Sequence, residues 1–274
     1  MKTLLCLCIA GCVVVLCVGR AVGQEAMYTA AATMPPPGSV VFRPQLMFSR
    51  YGADPDGPST RTDYTAVDLG VQIGLARAWS LSVNAPVEYQ QSQRPSGDTN
   101  RVEVEDVDLM LKYRFYMDNS GGIDTARAAV TFGTRLERVE GFSVDPHVGV
   151  VLTKVQGRNG INAEASYLLT TSGREETIRE GDGTADLVRT NVSYVFRLWP
   201  AEFTSTSTGG WYATAELNGM WETNGDREVR WAPGLMYEGR EVSFEVMMQL
   251  PVWHELGERA ELDWSVGVGL RLLF

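Results

Sequence analysis

The side chains able to do covalent or metal chemistry are few: two histidines, His147 and His254, and four cysteines, Cys6, Cys8, Cys12 and Cys17. Catalysis by a histidine needs a second group, such as a Ser, a Cys or a carboxylate, within hydrogen-bond reach. Along His147-Val148-Gly149-Val150 no Ser shares a face with the imidazole, and neither histidine has another beside it. Both therefore read as rim residues, and no enzyme, a lipase included, is expected. The cysteines all fall within the first 17 residues, which leaves the rest of the chain without disulfide or thiolate metal chemistry. The acidic run Glu175-Glu176-Thr177-Ile178-Arg179-Glu180-Gly181-Asp182 lacks the Asp-x-Asp-x-Asp-Gly spacing of a calcium loop and reads as a solvated loop. No phosphate-cradling Gly-x-x-x-x-Gly-Lys-Ser/Thr stretch occurs, and neither cofactor nor metal is expected.

The remaining chemistry is electrostatic. Asp106, Asp108, Lys112 and Arg114 recur along one short stretch, and Arg127, Arg135, Arg189 and Arg197 hold the same polar phase of their own segments. Glu216, Glu245, Asp263 and Arg271 do likewise. Fixed charges on a narrow wall select which ions pass and how solutes orient. Paired with one another, the same charges neutralise an enclosed interior, which is the expectation favoured here. Either role requires elements that turn all of them inward.

Those elements are strands. From Ser39 onward apolar residues recur every second position, the period of a pleated strand with one face in an apolar medium. In the last segment Leu262, Trp264, Val266, Val268, Leu270, Leu272 and Phe274 alternate with mostly small or charged residues. Segments 40–51, 67–75, 79–89, 106–115, 126–136, 148–153, 161–170, 188–198, 211–221, 229–237 and 242–252 read the same way, which makes about twelve strands of spanning length. Short turns are expected around Arg77, Arg158 and Gly239. Stretches 52–64, 90–101, 137–146 and 173–186 read as long polar loops, with 117–125 and 200–210 as long connections on the opposite set and 224–228 as a short one.

A soluble sandwich alternates too, but its polar face meets bulk water. Here that face is rich in Gly, Ser, Asn and Gln with charges of both signs, as a narrow lumen requires. The apolar face carries Trp79, Trp211, Trp221, Trp231 and Trp264 with Tyr89, Tyr113, Tyr167, Tyr194 and Tyr237 near segment ends, where a membrane's two interfaces favour such rings. Only a closed barrel leaves no strand backbone facing lipid unpaired. The fold expected is all-β: a single twelve-stranded antiparallel transmembrane barrel of up-and-down topology over 39–274.

The first residues have the form of a cleaved secretory signal peptide: Lys2, an apolar run from Leu4 to Gly19, and Ala21-Val22-Gly23 with small residues where a signal peptidase reads. Cleavage is expected before Gln24, leaving 24–38 as a short periplasmic segment. Lys2 and Arg20 then come off the 24 basic residues, so 22 face 34 acidic ones and the net charge moves from −10 to near −12. Polyanionic partners such as nucleic acid are disfavoured. The apolar run is too short for a membrane-spanning helix. Ile9-Ala10-Gly11-Cys12 has the small-residue-then-Cys form that precedes lipidation, although Cys12 sits inside that run.

Four passages resemble an outer-membrane β-barrel family assigned to transport in the MetA pathway of phenol degradation: Gly70-Val71-Gln72-Ile73-Gly74-Leu75-Ala76-Arg77-Ala78-Trp79 with Ala85-Pro86-Val87, Glu105-Asp106-Val107-Asp108-Leu109-Met110-Leu111-Lys112-Tyr113-Arg114-Phe115, Ala232-Pro233-Gly234-Leu235-Met236-Tyr237, and Gln249-Leu250-Pro251-Val252. Glu105 stands where that family commonly has Gly. The resemblance implies a barrel in a Gram-negative-type outer membrane and transport of small molecules, hydrophobic ones among them. The strand ending in Phe274 looks like the signal that barrel-assembly machinery reads. The expected function is a passive pore for small solutes, in contact with outer-membrane lipid. The alternative is a non-conducting barrel whose outer loops bind a partner.

Overall fold

The computed structural model describes residues 24–274 except 54, 56–58, 105, 122–123, 138–142, 172–184 and 205–206. The expected signal-peptidase residues Ala21 and Gly23, Cys12 and the acidic run 175–182 lie outside the described residues. The strands are β1 (Val40–Tyr51), β2 (Arg61–Ala76), β3 (Trp79–Gln93), β4 (Thr99–Val104), β5 (Val107–Gly121), β6 (Asp124–Glu137), β7 (Ser143–Gln156), β8 (Asn159–Leu168), β9 (Leu187–Trp199), β10 (Gly209–Glu222), β11 (Arg227–Gly239), β12 (Val242–Glu255) and β13 (Leu262–Leu273).

Apart from β4 and β5, which both pair with β3, each strand pairs antiparallel with its neighbours in sequence, and β1 pairs with β13, so the sheet closes. β4 is not an extra stave. It pairs with the far half of β3 (Val87↔Val104) while β5 pairs with the near half (Asn84↔Asp108), so β4 and β5 are two pieces of one stave and the ring has twelve. The seam closes fully, with Val40 and Phe274 exchanging backbone hydrogen bonds at 3.0 and 2.8 Å. At about 3.3 Å per residue and a tilt near 40°, a stave of about 13 residues rises about 33 Å, enough for an apolar band about 25 Å tall.

Burial is inverted relative to a water-soluble protein. Glu216, Ser193, Asn162 and Thr131 are buried inside the ring, whereas Val148, Leu152, Leu217 and Val252 are at least half exposed on its outside. That inversion is stable only where the outer medium is apolar. Aromatic rings gather toward the ends of the outer face: Trp79 stacks on Tyr113 with centroids 4.5 Å apart, and Trp211 lies 5.2 Å from Tyr237. Among the described residues no helix is long and apolar enough to cross a membrane; the strands do the crossing.

The staves run longer than the apolar alternation alone suggests, because pairing continues past the lipid-facing residues into polar rims. Residues 117–125 are therefore no long connection: Met117↔Arg127 and Gly121↔Asp124 pair almost to the turn. Residues 90–101 are a hairpin extension of β3 and β4 with a tight turn at its tip. The phase fails at the start of β13: Leu262 does not face outward but is fully buried with Tyr51, Tyr64 and Ala260. A register shift between Arg50 and Tyr51, opposite Trp264 and Leu262, puts two residues of β13 where one should be and turns Leu262 inward.

Candidate functional site

Both ends of the described chain and the connections at Arg77, Arg158 and Arg240 lie at one end of the barrel, the turn end, while residues 52–53, 169–171 and 185–186 and the 256–261 connection lie at the other, the loop end. Residues 24–38 follow no strand pattern, and the sequence reading set them apart from the wall. They run inside it. Gln24 sits beside Glu238, next to last in β11; Tyr28 reaches Glu216 in the middle of β10; Pro35 and Pro36 return to Gly74 near the end of β2. The segment enters from the turn end, turns at mid-height and comes back to start β1.

It touches every stave. Arg43 on β1 donates to Ala26 O (2.9 Å) and Met27 O (3.1 Å). On β2, Gly74 O accepts from Gly38 N; on β3, Ser80 donates to Met34 Sδ; on β5, the Lys112 ammonium donates to Ala31 O at 2.8 Å. Ala129 of β6 and Val151 of β7 pack on Ala32. Thr153 Oγ1 on β7 accepts from Ala32 N, and its hydroxyl donates to Asn162 on β8, whose amide donates to Gln24 O, so two wall residues staple both arms of the segment. Glu164 on β8 accepts from Ala30 N, Asn191 on β9 donates to Tyr28 O, and Glu216 on β10 accepts from Tyr28 N at 3.2 Å and Thr29 Oγ1 at 2.5 Å. Ala232 of β11 and Met247 of β12 enclose Met27, and Arg271 of β13 donates to Glu25 O. A short peptide reaching all twelve staves lies in the middle of them: it is a plug.

The wall is cut to receive it. A Cβ at Gly267 would meet Met27 Sδ at 2.6 Å, one at Gly160 would strike the Gln24 side chain, and one at Gly74 would strike the carbonyls of Pro35 and Pro36. Electrostatics complete the seat. Glu25 accepts from Ala31 N and lies 3.8 Å from Arg43, which also pairs with Glu245 at 3.1 Å; Glu245 in turn faces Arg271 at 3.4 Å. Burial pushes the Glu25 carboxyl up, but Lys112, Arg43 and Arg271 together outweigh it and hold the group below the usual carboxylate range.

The plug divides the interior. On the loop side is a cavity of about 300 Å³ with Met27 and Tyr28 as its floor, lined by Asp68, Asp106, Asp108, Arg135, Arg189 and Arg230 among others. On the turn side is one of about 250 Å³ beside Gln24, Arg127, Tyr212 and Glu238. The 256–261 connection folds into the loop-end mouth, where Arg259 is fully buried against Glu222 and Glu228, each at 3.4 Å, and the backbone of Gly257 and Glu258 donates to Asp226.

The charges picked out in the sequence are therefore not one cluster. Asp106 and Asp108 line the loop-side cavity, with Asp108 paired to Arg135 at 3.2 Å across the β5–β6 register. Lys112 holds the plug. Arg114 sits at the turn end, donating to Arg77 O, because inward residues two apart on a strand lie about 7 Å apart and four apart twice that. Arg127 lines the turn-side cavity; Arg197 is buried, donates to Ala201 O and stacks over Phe203 at 4.4 Å. Glu216, Glu245 and Arg271 seat the plug as described. Asp263 is the exception: it is exposed at the rim, since the register shift beside it breaks the inward phase. His147, read as a rim residue, instead lies half-buried on the inner face of β7 toward Asp108, Arg135, Arg189 and Glu164, because it shares the inward phase of Asp145 and Val151; His254 Nε2 is 2.8 Å from Glu261 at the loop rim, as expected. Sequence reasoning passed over Glu25, Arg43, Glu164, Glu238 and Arg259. Arg43 at least was visible in the inward phase of β1. Among the described residues no group of three or more His, Cys, Asp or Glu side chains is placed to hold a metal.

No protein-family profile matches the sequence, and no curated protein matches it. Solved structures do. An outer membrane channel from Pseudomonas putida F1 superposes with a TM-score of 0.57 at 10% identity, covering 92% of this chain and 100% of that one. The β domain of the Bordetella autotransporter BrkA superposes with a TM-score of 0.51 at 12% identity, covering 86% and 100%. At such identities the likeness is one of fold: a closed, twelve-stranded, antiparallel barrel of the outer-membrane kind.

Proposed function

We propose that this protein is a passive pore for small solutes in an outer membrane, closed at rest by residues 24–36 and conducting when they leave the wall. The observation that carries the reading is how the plug is attached. Among the described residues its backbone bonds directly to the wall backbone only at its root, where Gly38 N donates to Gly74 O at 2.7 Å and Gly74 N to Ser39 O at 3.0 Å. Above the root the described bonds run to side chains. Each is worth about 0.5–1.5 kcal/mol net, or about 3 when a charge takes part, and water entering the lumen replaces them one at a time. Such a plug is removable in a way that a thirteenth stave is not.

The two cavities, one at each side of the plug, supply the vestibules of such a path, and charges of both signs in the loop-side one suit small solutes carrying polar groups. The passages that resemble the phenol-degradation transport family speak for small hydrophobic solutes as well. The exposed apolar face meets lipid, and β13 with Phe274 is the surface offered to assembly machinery. A second reading, a sealed barrel acting through its loops, is favoured by the plug's contact with every stave. Proteoliposome swelling with the intact chain and with a chain lacking residues 25–33 separates them: a pore gives slow, size-limited uptake of small sugars or amino acids that quickens when the plug is removed, and well-folded protein that passes no solute in either form contradicts the pore.

A further inference from the structure

We propose that removal of the leader between Gly23 and Gln24 creates the group that locks the plug, and that Glu238 is a binding site for the chain's own α-ammonium. The proposal rests on the signal-peptide reading and stands apart from whether the lumen conducts. Glu238, on the inner face of β11, is buried, and its two carboxylate oxygens lie at the same distance, 3.2 Å, from one nitrogen, the backbone nitrogen of Gln24. Among the described residues it forms no ion pair. Arg271 on β13 attracts it only from beyond ion-pair distance, its guanidinium being turned to Glu25 O and Glu245, while the carboxylates of Glu25 and Glu245 repel it; Arg240 is turned to Ser207 O and Arg127 to Thr125. A buried carboxylate with no cation in contact is costly. A peptide N–H offers one hydrogen, here shared between two oxygens at the long end of the hydrogen-bond range, whereas an ammonium offers three and a full charge.

Hydrolysis supplies that ammonium. Water adds its hydroxyl to the Gly23 carbonyl carbon, the C–N bond breaks, and the Gln24 nitrogen leaves with the remaining hydrogen and takes up a further proton at neutral pH, where an α-amine is largely charged. The turn-side cavity beside Gln24 and Glu238 gives the new terminus room. The side chain of Gly160 is absent where Gln24 would otherwise strike it. The lock also has a chemical consequence. A free N-terminal glutamine cyclises when its neutral amine attacks the side-chain amide carbon, forming a new C–N bond and expelling ammonia. An amine kept protonated against Glu238 has no lone pair for that attack.

The test uses the mature protein purified from outer membranes. Its intact mass should begin at Gln24 without loss of ammonia; a start at any other residue, or complete cyclisation, overturns the proposal. The rate of acylation of the α-amine is then followed against pH in the folded and the unfolded chain. An ion pair raises the midpoint above the ordinary value of about 8 and slows labelling near that pH about tenfold per unit, whereas burial without a partner lowers it. A midpoint at or below the unfolded value overturns the proposal without recourse to any variant. In folded Glu238→Gln protein the amine should label about tenfold faster than in the wild type, one unit's worth, and Gln24 should cyclise on storage; unchanged rates are the contrary result.

Discussion

Arg43 stands between two buried carboxylates, Glu25 of the plug and Glu245 of the wall, and it illustrates what single residues do in this interior. Removing one member of a buried pair leaves the other charged and unsolvated, which costs about 3–5 kcal/mol. Arg43→Met should therefore unseat the plug without opening the ring, since Arg43 faces the lumen and the β1 ladder is untouched. Amide exchange of residues 25–33 should accelerate by about a hundredfold or more on the same energy while that of β9 and β10 stays slow; equal protection would deny Arg43 this role. Acid acts in the same direction. Because the Glu25 carboxyl is held below its ordinary 4.5, its contribution to seating is complete above pH 4.5 and is lost as pH falls through the lowered value. Opening events in a planar bilayer should thus become more frequent on acidification well below 4.5, and an unchanged or lower frequency would speak against an electrostatic seat.

At the scale of elements, the wall and the plug obey different rules. Staves are set by a period of two, with apolar residues out and small or charged ones in, and this is why their number and most of their centres can be read from residue order. What the alternation does not carry is the rim: the register shift at Tyr51 and Leu262 depends on which residues face one another across the closing seam, and it misleads the phase for Leu262 and Asp263. The plug is illegible for a deeper reason. Residues 24–38 have no periodicity and read as a short periplasmic segment; their burial comes from partners more than a hundred positions away, such as Glu164, Glu216 and Glu238. Gly267 separates the two elements experimentally. Gly267→Leu puts a side chain where Met27 Sδ sits, so the barrel should assemble and resist heat as before while the plug is displaced and conductance rises. On the outer face, Trp79→Ala loses the stack on Tyr113, worth about 0.5–1.5 kcal/mol beyond area. It should lower the unfolding midpoint and leave conductance unchanged.

For the whole molecule, twelve strands enclose a lumen only wide enough for side chains and a narrow path, well short of the aqueous channel of sixteen- or eighteen-stranded porins. A single inserted segment therefore closes it, and it leaves the two flanking cavities of about 300 and 250 Å³ as what remains of a route. Closure by a removable internal segment is the claim on which the account rests. It is tested by planar-bilayer recording of the mature chain beside a chain lacking residues 25–33, both shown to be folded by their resistance to heat. The account predicts small or rare conductance steps for the intact chain and large, steady ones for the shortened chain. Identical conductance in the two, or none in either, would contradict it.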